Sequence, residues 1–366
     1  MVIFDVSGQI NLESTVNITS GFLTVAGQTA PSPGITIAIA GPSGATSNGL
    51  VVGAKDVLIQ HIRIRGKTDP AGGRRDILFI ASARVVIDHV SVSWGSASGK
   101  NMVIDGDGAA NVTISNCITS EAFPYGMLVE GNTRRLSILR TLFAHNFDRN
   151  PEVASNTLVT FVNNFIYNPG EPGRPFMGLW RGQAFGEPQD GAALTSIIGN
   201  IAKAGPTSGA LQLSLGGTAL PGSRAYTSDN AFPGGIVYET ETGFTPIGSP
   251  PFPLPNPLTI LPSSDVPAYI VAHGGARPAD RDAVDRRIID DVVNSTGTTA
   301  ILTEEDVGGF PALAENTRAL ALPANPNGDD DGDGYTNLEE LLYELSACVE
   351  GRSTDLAQCR AWAVIP

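Results

Sequence analysis

Short runs in which apolar and polar residues alternate return along the first two-thirds of the chain. Val57-Leu58-Ile59-Gln60-His61-Ile62-Arg63-Ile64 is followed by similar runs at 85–92, 112–119, 136–143 and 159–166, and more weakly at 195–200. The starts at 57, 85, 112, 136, 159 and 195 are separated by steps of 28, 27, 24, 23 and 36 residues. Period-2 alternation rich in Val, Ile and Thr predicts strands, and a spacing of this size predicts a stacked array. Each unit reads as a short strand, a polar corner and a second strand. The corner falls at Gln60, Asp88, Asn116, Leu139 or Arg140, Asn163, and Gly199 or Asn200. Asparagine suits such a corner because its side chain satisfies nearby backbone groups and stacks on its neighbours.

A corner chemistry that repeats in register favours an all-β, right-handed parallel β-helix over a sandwich, which gives many short strands without that regularity. The pattern defines a β-helix domain over 1–245. It breaks at the proline-rich stretch Pro250-Pro251-Phe252-Pro253-Leu254-Pro255-Asn256-Pro257, a stiff segment expected to lie along a surface. A helix is expected from Arg277 onward, with Pro278 in its first turn and Val284, Ile288 and Val292 on one face. The segment 246–322 is therefore read as packing on the β-helix, its helix placed to cover an open coil edge. Residues 323–366 form a small helical extension.

Composition narrows the class. With 23 Lys+Arg against 37 Asp+Glu, the net charge of −14 argues against nucleic acid and against an anionic membrane surface. No apolar run is long enough to cross a bilayer. Gly (42) and Pro (26) mark a turn-rich chain. Cys117 lies in an apolar run and reads as a small buried hydrophobe. Cys348 and Cys359 form a disulfide if the chain is secreted. The chain opens directly on strand-like residues, and a truncated start is the expectation.

Several stretches resemble polysaccharide lyase family 1, the pectate lyases. They are Val2-Ile3-Phe4-Asp5-Val6-Ser7-Gly8, Val25-Ala26-Gly27-Gln28-Thr29-Ala30-Pro31, Val86-Ile87-Asp88-His89-Val90-Ser91-Val92-Ser93-Trp94-Gly95, Leu142-Phe143-Ala144-His145-Asn146, Arg149-Asn150-Pro151 and Asn163-Asn164-Phe165-Ile166-Tyr167-Asn168. The resemblance implies a secreted, monomeric β-helix enzyme. Its reaction would be eliminative cleavage of an acidic polysaccharide, α-1,4-galacturonan, usually with Ca²⁺. It assigns the catalytic arginine to Arg149. Elimination removes the proton at C5 beside a uronate carboxylate, so positive charge is needed there. An arginine is poorly suited to act as base, which leaves open whether Arg149 stabilises the developing charge while another group takes the proton.

The chain departs from the family pattern in three places. Glu152 and Ala154 stand where basic residues usually follow the arginine. The stretch after Trp94 lacks the acidic Ca²⁺ cluster, so that only Asp76 matches a usual ligand, and one carboxylate cannot hold Ca²⁺. No basic residue stands near Pro124-Tyr125-Gly126. Lys100 is a candidate to replace the metal's charge, and Arg174, Trp180 and Arg181 are candidates to hold an acidic sugar. Asp88-His89, a tempting dyad, is in register with Gln60-His61 and is read as part of the stack. Asp105 and Asp107 offer a carboxylate pair for a glycosidase reading, though their setting is that of a tight turn. The alternative from another class is a non-catalytic carbohydrate-binding β-helix.

A separate calcium signal lies near the C-terminus. Asp329, Asp331, Asp333, Gly334, the Tyr335 carbonyl, Asn337 and Glu340 fit D-x-D-x-D-G-x₅-E and open a helix at Leu338, Leu341 and Leu342. This segment resembles the calcium loops of dockerins and of secreted bacterial spacer repeats. It is expected to bind one structural Ca²⁺.

Overall fold

Each coil contributes three strands, one more than the alternation reveals. The computed structural model describes residues 1–39, 47–68, 73, 75–95, 99–170, 177–180, 191–216, 219–238 and 243–366. Three wholly parallel sheets of eight, nine and nine strands run the length of a β-solenoid. The first sheet runs from Gly8–Leu12 to Ile201–Lys203, the second from Val16–Ile18 to Ile236–Tyr238, and the third from Leu23–Ala26 to Thr245–Pro246. Inward positions align from coil to coil: Ile59, Ile87, Ile114, Ile138, Phe161 and Ile197 form one row of the third sheet. Every member of that row is buried. Burying one such side chain stabilises by roughly 1.5–3 kcal/mol, so the stacked interior is the main adhesive.

The corner between the third and first sheets turns on one left-handed residue per coil. These are His61, His89, Asn116, Arg140, Asn163, Gly199 and Asp229, with φ between 49° and 63°. The true corner is therefore one position after Gln60 and Asp88, which end their strands. Asn, Asp, His and Gly tolerate this conformation best. The asparagine stack sits one residue further on. Asn164 Nδ2 donates to Asn200 Oδ1 at 3.0 Å, and Asn200 Nδ2 to Asn230 Oδ1 at 2.9 Å. Toward the N-terminus the same row becomes Thr141, Cys117, Val90 and Ile62, where an apolar core replaces the polar ladder. Cys117 is buried there as a free thiol, as its apolar setting suggested.

Beyond the coils, α1 (Val266–His273) and α2 (Ala283–Asn294) pack on the outer face of the first sheet. Residues 278–280 form only a short 3₁₀ turn, and α2 begins after Asp282, whose carboxylate accepts the Asp285 N–H. Val284, Ile288 and Val292 are buried as the periodicity predicts. The helix covers a flank and not the open coil end, because the outward residues Ile118, Leu142, Ala144, Phe165 and Tyr167 are apolar and Ile288, Ile289 and Val292 cover them. Nearer the N-terminus the outward residues are Arg63 and Arg65. Both are buried, with Arg65 Nη2 2.9 Å from Asp282 and from Asp285. The proline-rich stretch lies against the third sheet, where Leu254 and Leu258 pack on Leu139, Val162 and Ile198. Finally α3 (Asn337–Val349) and α4 (Leu356–Ala361), joined by a Cys348–Cys359 disulfide, pack beside Ala26.

Candidate active site

The second sheet carries the residues that the resemblance singles out. Asn48 pairs with Asp76, Lys100 with Tyr125, and Tyr125 with Asp148. The pairing of Met102 with Leu78 sets Lys100 level with Asp76. One row across neighbouring coils thus reads Asp76, Lys100, Tyr125 and Asp148, with Arg149 adjoining. The Asp76 carboxylate accepts the Lys100 backbone N–H at 2.9 Å and lies 3.9 Å from its Nζ. The Arg149 guanidinium stacks 3.8 Å from the centre of the Tyr125 ring, and its Nε lies 2.7 Å from Glu152 Oε2. Lys100 Nζ approaches the same ring at 5.7 Å. Two cations thus share one aromatic ring, a contact worth about 0.5–2 kcal/mol each according to desolvation. Asp76, Lys100, Arg149 and Glu152 are all buried.

This constellation does not fit Ca²⁺. The one family-matching carboxylate, Asp76, already faces an ammonium, and Glu152 is engaged by Arg149. A hard cation needing six to eight oxygens would meet two fixed positive charges. The arrangement suits a carboxylate ligand better, because a planar guanidinium and a point charge stand on the coils either side of Tyr125.

Other candidates fall elsewhere. Trp180 is fully buried in the coil interior, edge-on to Phe161 with ring centres 5.8 Å apart, so it presents no face to a sugar. It lies on an inward position of its strand, where its apolar bulk fills the core. Arg174 and Arg181 lie outside the described residues. Asp105 and Asp107 sit in a turn away from the Arg149 row, and Asp107 accepts a hydrogen bond from Asn132. His89 does stack on His61, but the pair faces the C-terminal extension. The remainder of that motif holds α2. Ser91 donates to Asp285, and the Trp94 indole donates to Glu121, which pairs with Arg287. Tyr125 and Glu152 join this candidate row, although the sequence marks them only as departures from the family pattern, and those departures are the available signal.

The C-terminal loop is an exposed turn of carboxylates. Asp329, Asp331 and Asp333 each bring an oxygen within 4.8 Å of the other two. Asp329 accepts the N–H groups of Gly332 and Gly334, and Asp333 that of Tyr335. Slight desolvation, then repulsion from Asp331, Asp333 and Asp329, raises the Glu340 carboxyl above its ordinary value. Asn337 caps the fold of the loop, accepting from the Asp330 N–H and donating to the Asn325 carbonyl. The three aspartate oxygens that close on one another are of the kind Ca²⁺ takes, and Glu340 enters as a twelfth-position ligand through the sequence motif.

No protein-family profile matches the chain. Among curated proteins, "Probable pectate lyase C" of Neosartorya fischeri is 30% identical over 355 residues, 93% of this chain and 76% of that protein. The protein of the same name from Aspergillus flavus is 31% identical over 348 residues, 91% of this chain and 75% of its own. Among solved structures, a pectate lyase from Bacillus sp. N165 in complex with trigalacturonate aligns over 73% of this chain and 93% of that one, at 12% identity and a TM-score of 0.32. Pectate lyase II from Xanthomonas campestris aligns over 75% and 81%, at 14% identity and a TM-score of 0.30.

Proposed function

The chain belongs to the pectate lyase family, and from that premise we propose that it cleaves a polygalacturonate-type acidic polysaccharide by β-elimination without calcium in the cleft. The observation that carries this reading is Lys100, whose ammonium stands against Asp76 two coils from Arg149, with Tyr125 on the coil between them. In the elimination a base removes the C5 proton, the electron pair forms the C4–C5 double bond, and the C4–O bond breaks. The leaving oxygen then takes up a proton. Negative charge builds on the uronate carboxylate as the C5 proton leaves. Arg149 and Lys100 neutralise it from two directions, and preorganised charge of this kind costs no reorganisation during the step. Glu152 holds the guanidinium through Nε and Tyr125 holds its plane, so both are positioning residues.

The protein is read as a secreted monomer, consistent with its disulfide and acidic surface. Calcium belongs to the C-terminal loop, where Asp329, Asp331, Asp333, the Tyr335 carbonyl, Asn337 and Glu340 would hold one ion and stiffen the entry to α3. The test is the ultraviolet absorbance of the unsaturated uronate product over a panel of uronate polymers, with Ca²⁺ or with chelator. Product formation that survives chelation is expected. Inactivity on every polymer, with binding retained, would replace the reading with a non-catalytic one.

A further inference from the structure

Away from the cleft, two histidines from adjacent coils meet one glutamate from the C-terminal extension. The rings of His61 and His89 stack with centres 5.1 Å apart and planes 21° from parallel. Glu350, just past the end of α3, brings Oε1 to 3.3 Å from His61 Nε2 and 3.8 Å from His89 Nδ1. His61 is 0% exposed, His89 4% and Glu350 7%.

The hydrogen bonding of His61 decides what can lie between these groups. Its Nδ1 stands 2.9 Å from the Ala276 carbonyl oxygen, which can only accept, so Nδ1 carries the hydrogen. Nε2 of the neutral ring then presents a lone pair and has no hydrogen-bond partner among the described residues. A bare nitrogen and a carboxylate oxygen facing each other across 3.3 Å require a positive charge between them. A proton or a bound metal ion would supply that charge.

We propose that His61, His89 and Glu350 form a binding site for a divalent transition metal of the zinc class, which staples the C-terminal extension to two adjacent coils. One ligating atom from each residue lies within 4.8 Å of the other two. For bonds of about 2.0–2.1 Å in tetrahedral array, neighbouring ligand atoms stand roughly 3.3 Å apart, which the His61–Glu350 separation matches. Two imidazoles and a carboxylate suit zinc, nickel or cobalt, and do not suit calcium. Asp88 Oδ2 lies 2.9 Å from His89 Nδ1, the same nitrogen that stands 3.8 Å from Glu350, so His89 ligates through Nδ1 only if the metal displaces that contact. Asp88 Oδ1 is held by Ser115 and Asn116, and Arg352 holds the second oxygen of Glu350 at 2.6 Å.

The test uses the full chain, stripped with chelator and kept in excess Ca²⁺ so that the acidic loop is saturated. Titration with Zn²⁺ should show one tight site per chain, and Co²⁺ should give the ligand-field spectrum of a low-coordinate nitrogen and oxygen site. His89→Gln and Glu350→Gln should each weaken Zn²⁺ binding at least about 100-fold while leaving the Ca²⁺ titration of the loop unchanged. Either variant could unfold the contact for reasons of packing alone, so the wild-type Co²⁺ spectrum is the second measurement. An octahedral, oxygen-only spectrum, or Zn²⁺ binding equal in wild type and both folded variants, would overturn the proposal in favour of a protonated histidine bridge. Its failure would leave the lyase reading intact, because neither residue belongs to the Arg149 row.

Discussion

The Arg149 row and the loop at 329–340 are the two places where calcium could be sought, and they are built in opposite ways. The row buries two cations against one aromatic ring, Lys100 beside Asp76 and Arg149 beside Glu152. The loop exposes three aspartates that face one another with only backbone N–H groups between them. A buried site cannot leave charges unpaired, so its positive charge has to be covalently supplied or metal-supplied. An exposed loop can keep excess negative charge in water until an ion arrives. The difference teaches that one chain can offer two answers to the same charge problem: a lysine stands in the candidate row, and a cluster of exposed carboxylates stands near the C-terminus.

The contrast breaks most sharply at Arg149. Arg149→Ala should lower kcat at least about a thousandfold with the circular dichroism unchanged, a loss of about 4 kcal/mol in transition-state stabilisation. Arg149→Lys should recover little of it, since a point charge cannot reproduce the planar fork. If both variants keep wild-type turnover, the row is not the active site.

Lys100→Asp sets a second carboxylate beside Asp76 and makes the row resemble the loop. Turnover should fall about 10–100-fold, and added Ca²⁺ should restore part of it. Steady-state rates with and without Ca²⁺ check this, and wild-type rates should change only a few-fold under chelation. Strong wild-type dependence on Ca²⁺ would show that the row holds metal despite Lys100.

A change confined to the loop should leave catalysis alone. Asp331→Ala should weaken Ca²⁺ binding at least about tenfold by calorimetry, with turnover within about twofold of wild type. The smallest effect is on pH. Because the apo Glu340 carboxyl is raised, protons compete with Ca²⁺ at a higher pH than an ordinary glutamate would allow. Ca²⁺ affinity of the loop should be level near neutrality and fall as pH drops through that raised value. An affinity that holds constant well below the ordinary glutamate range would remove Glu340 from the ligand set.

The sequence made the third and first sheets legible because each has strands with one face toward the core and another toward a polar or helix-covered surface. The second sheet escaped notice. Lys100–Ile104 is buried at all five positions, so it carries no alternation to read. The candidate row lies on that sheet, which is why only a motif points to Arg149 and no alternation points to its neighbours Tyr125 and Glu152. Trp180 misled for the same reason, as an aromatic amid glycines and prolines looks exposed until its strand is known. The meeting of His61, His89 and Glu350 was out of reach altogether, since nothing local to residue 350 says which coil it will touch.

α2 has a mechanical consequence. Hydrogen bonds between coils run along the solenoid axis, so under tension the coils are springs in series and the softest gap opens first. Groups on or just after α2 grip successive strands of the first sheet, through Arg65, Ser91, Glu121, His145 and Tyr167, and through Lys203 at the last. At about 1.5 Å per residue the 12-residue helix is roughly 18 Å long, nearly four inter-strand spacings of about 4.8 Å. It acts as a splint that shares load in parallel with the gaps it crosses. Stretch is therefore concentrated in the coils that α2 does not cross, those before Arg65 and those after Lys203.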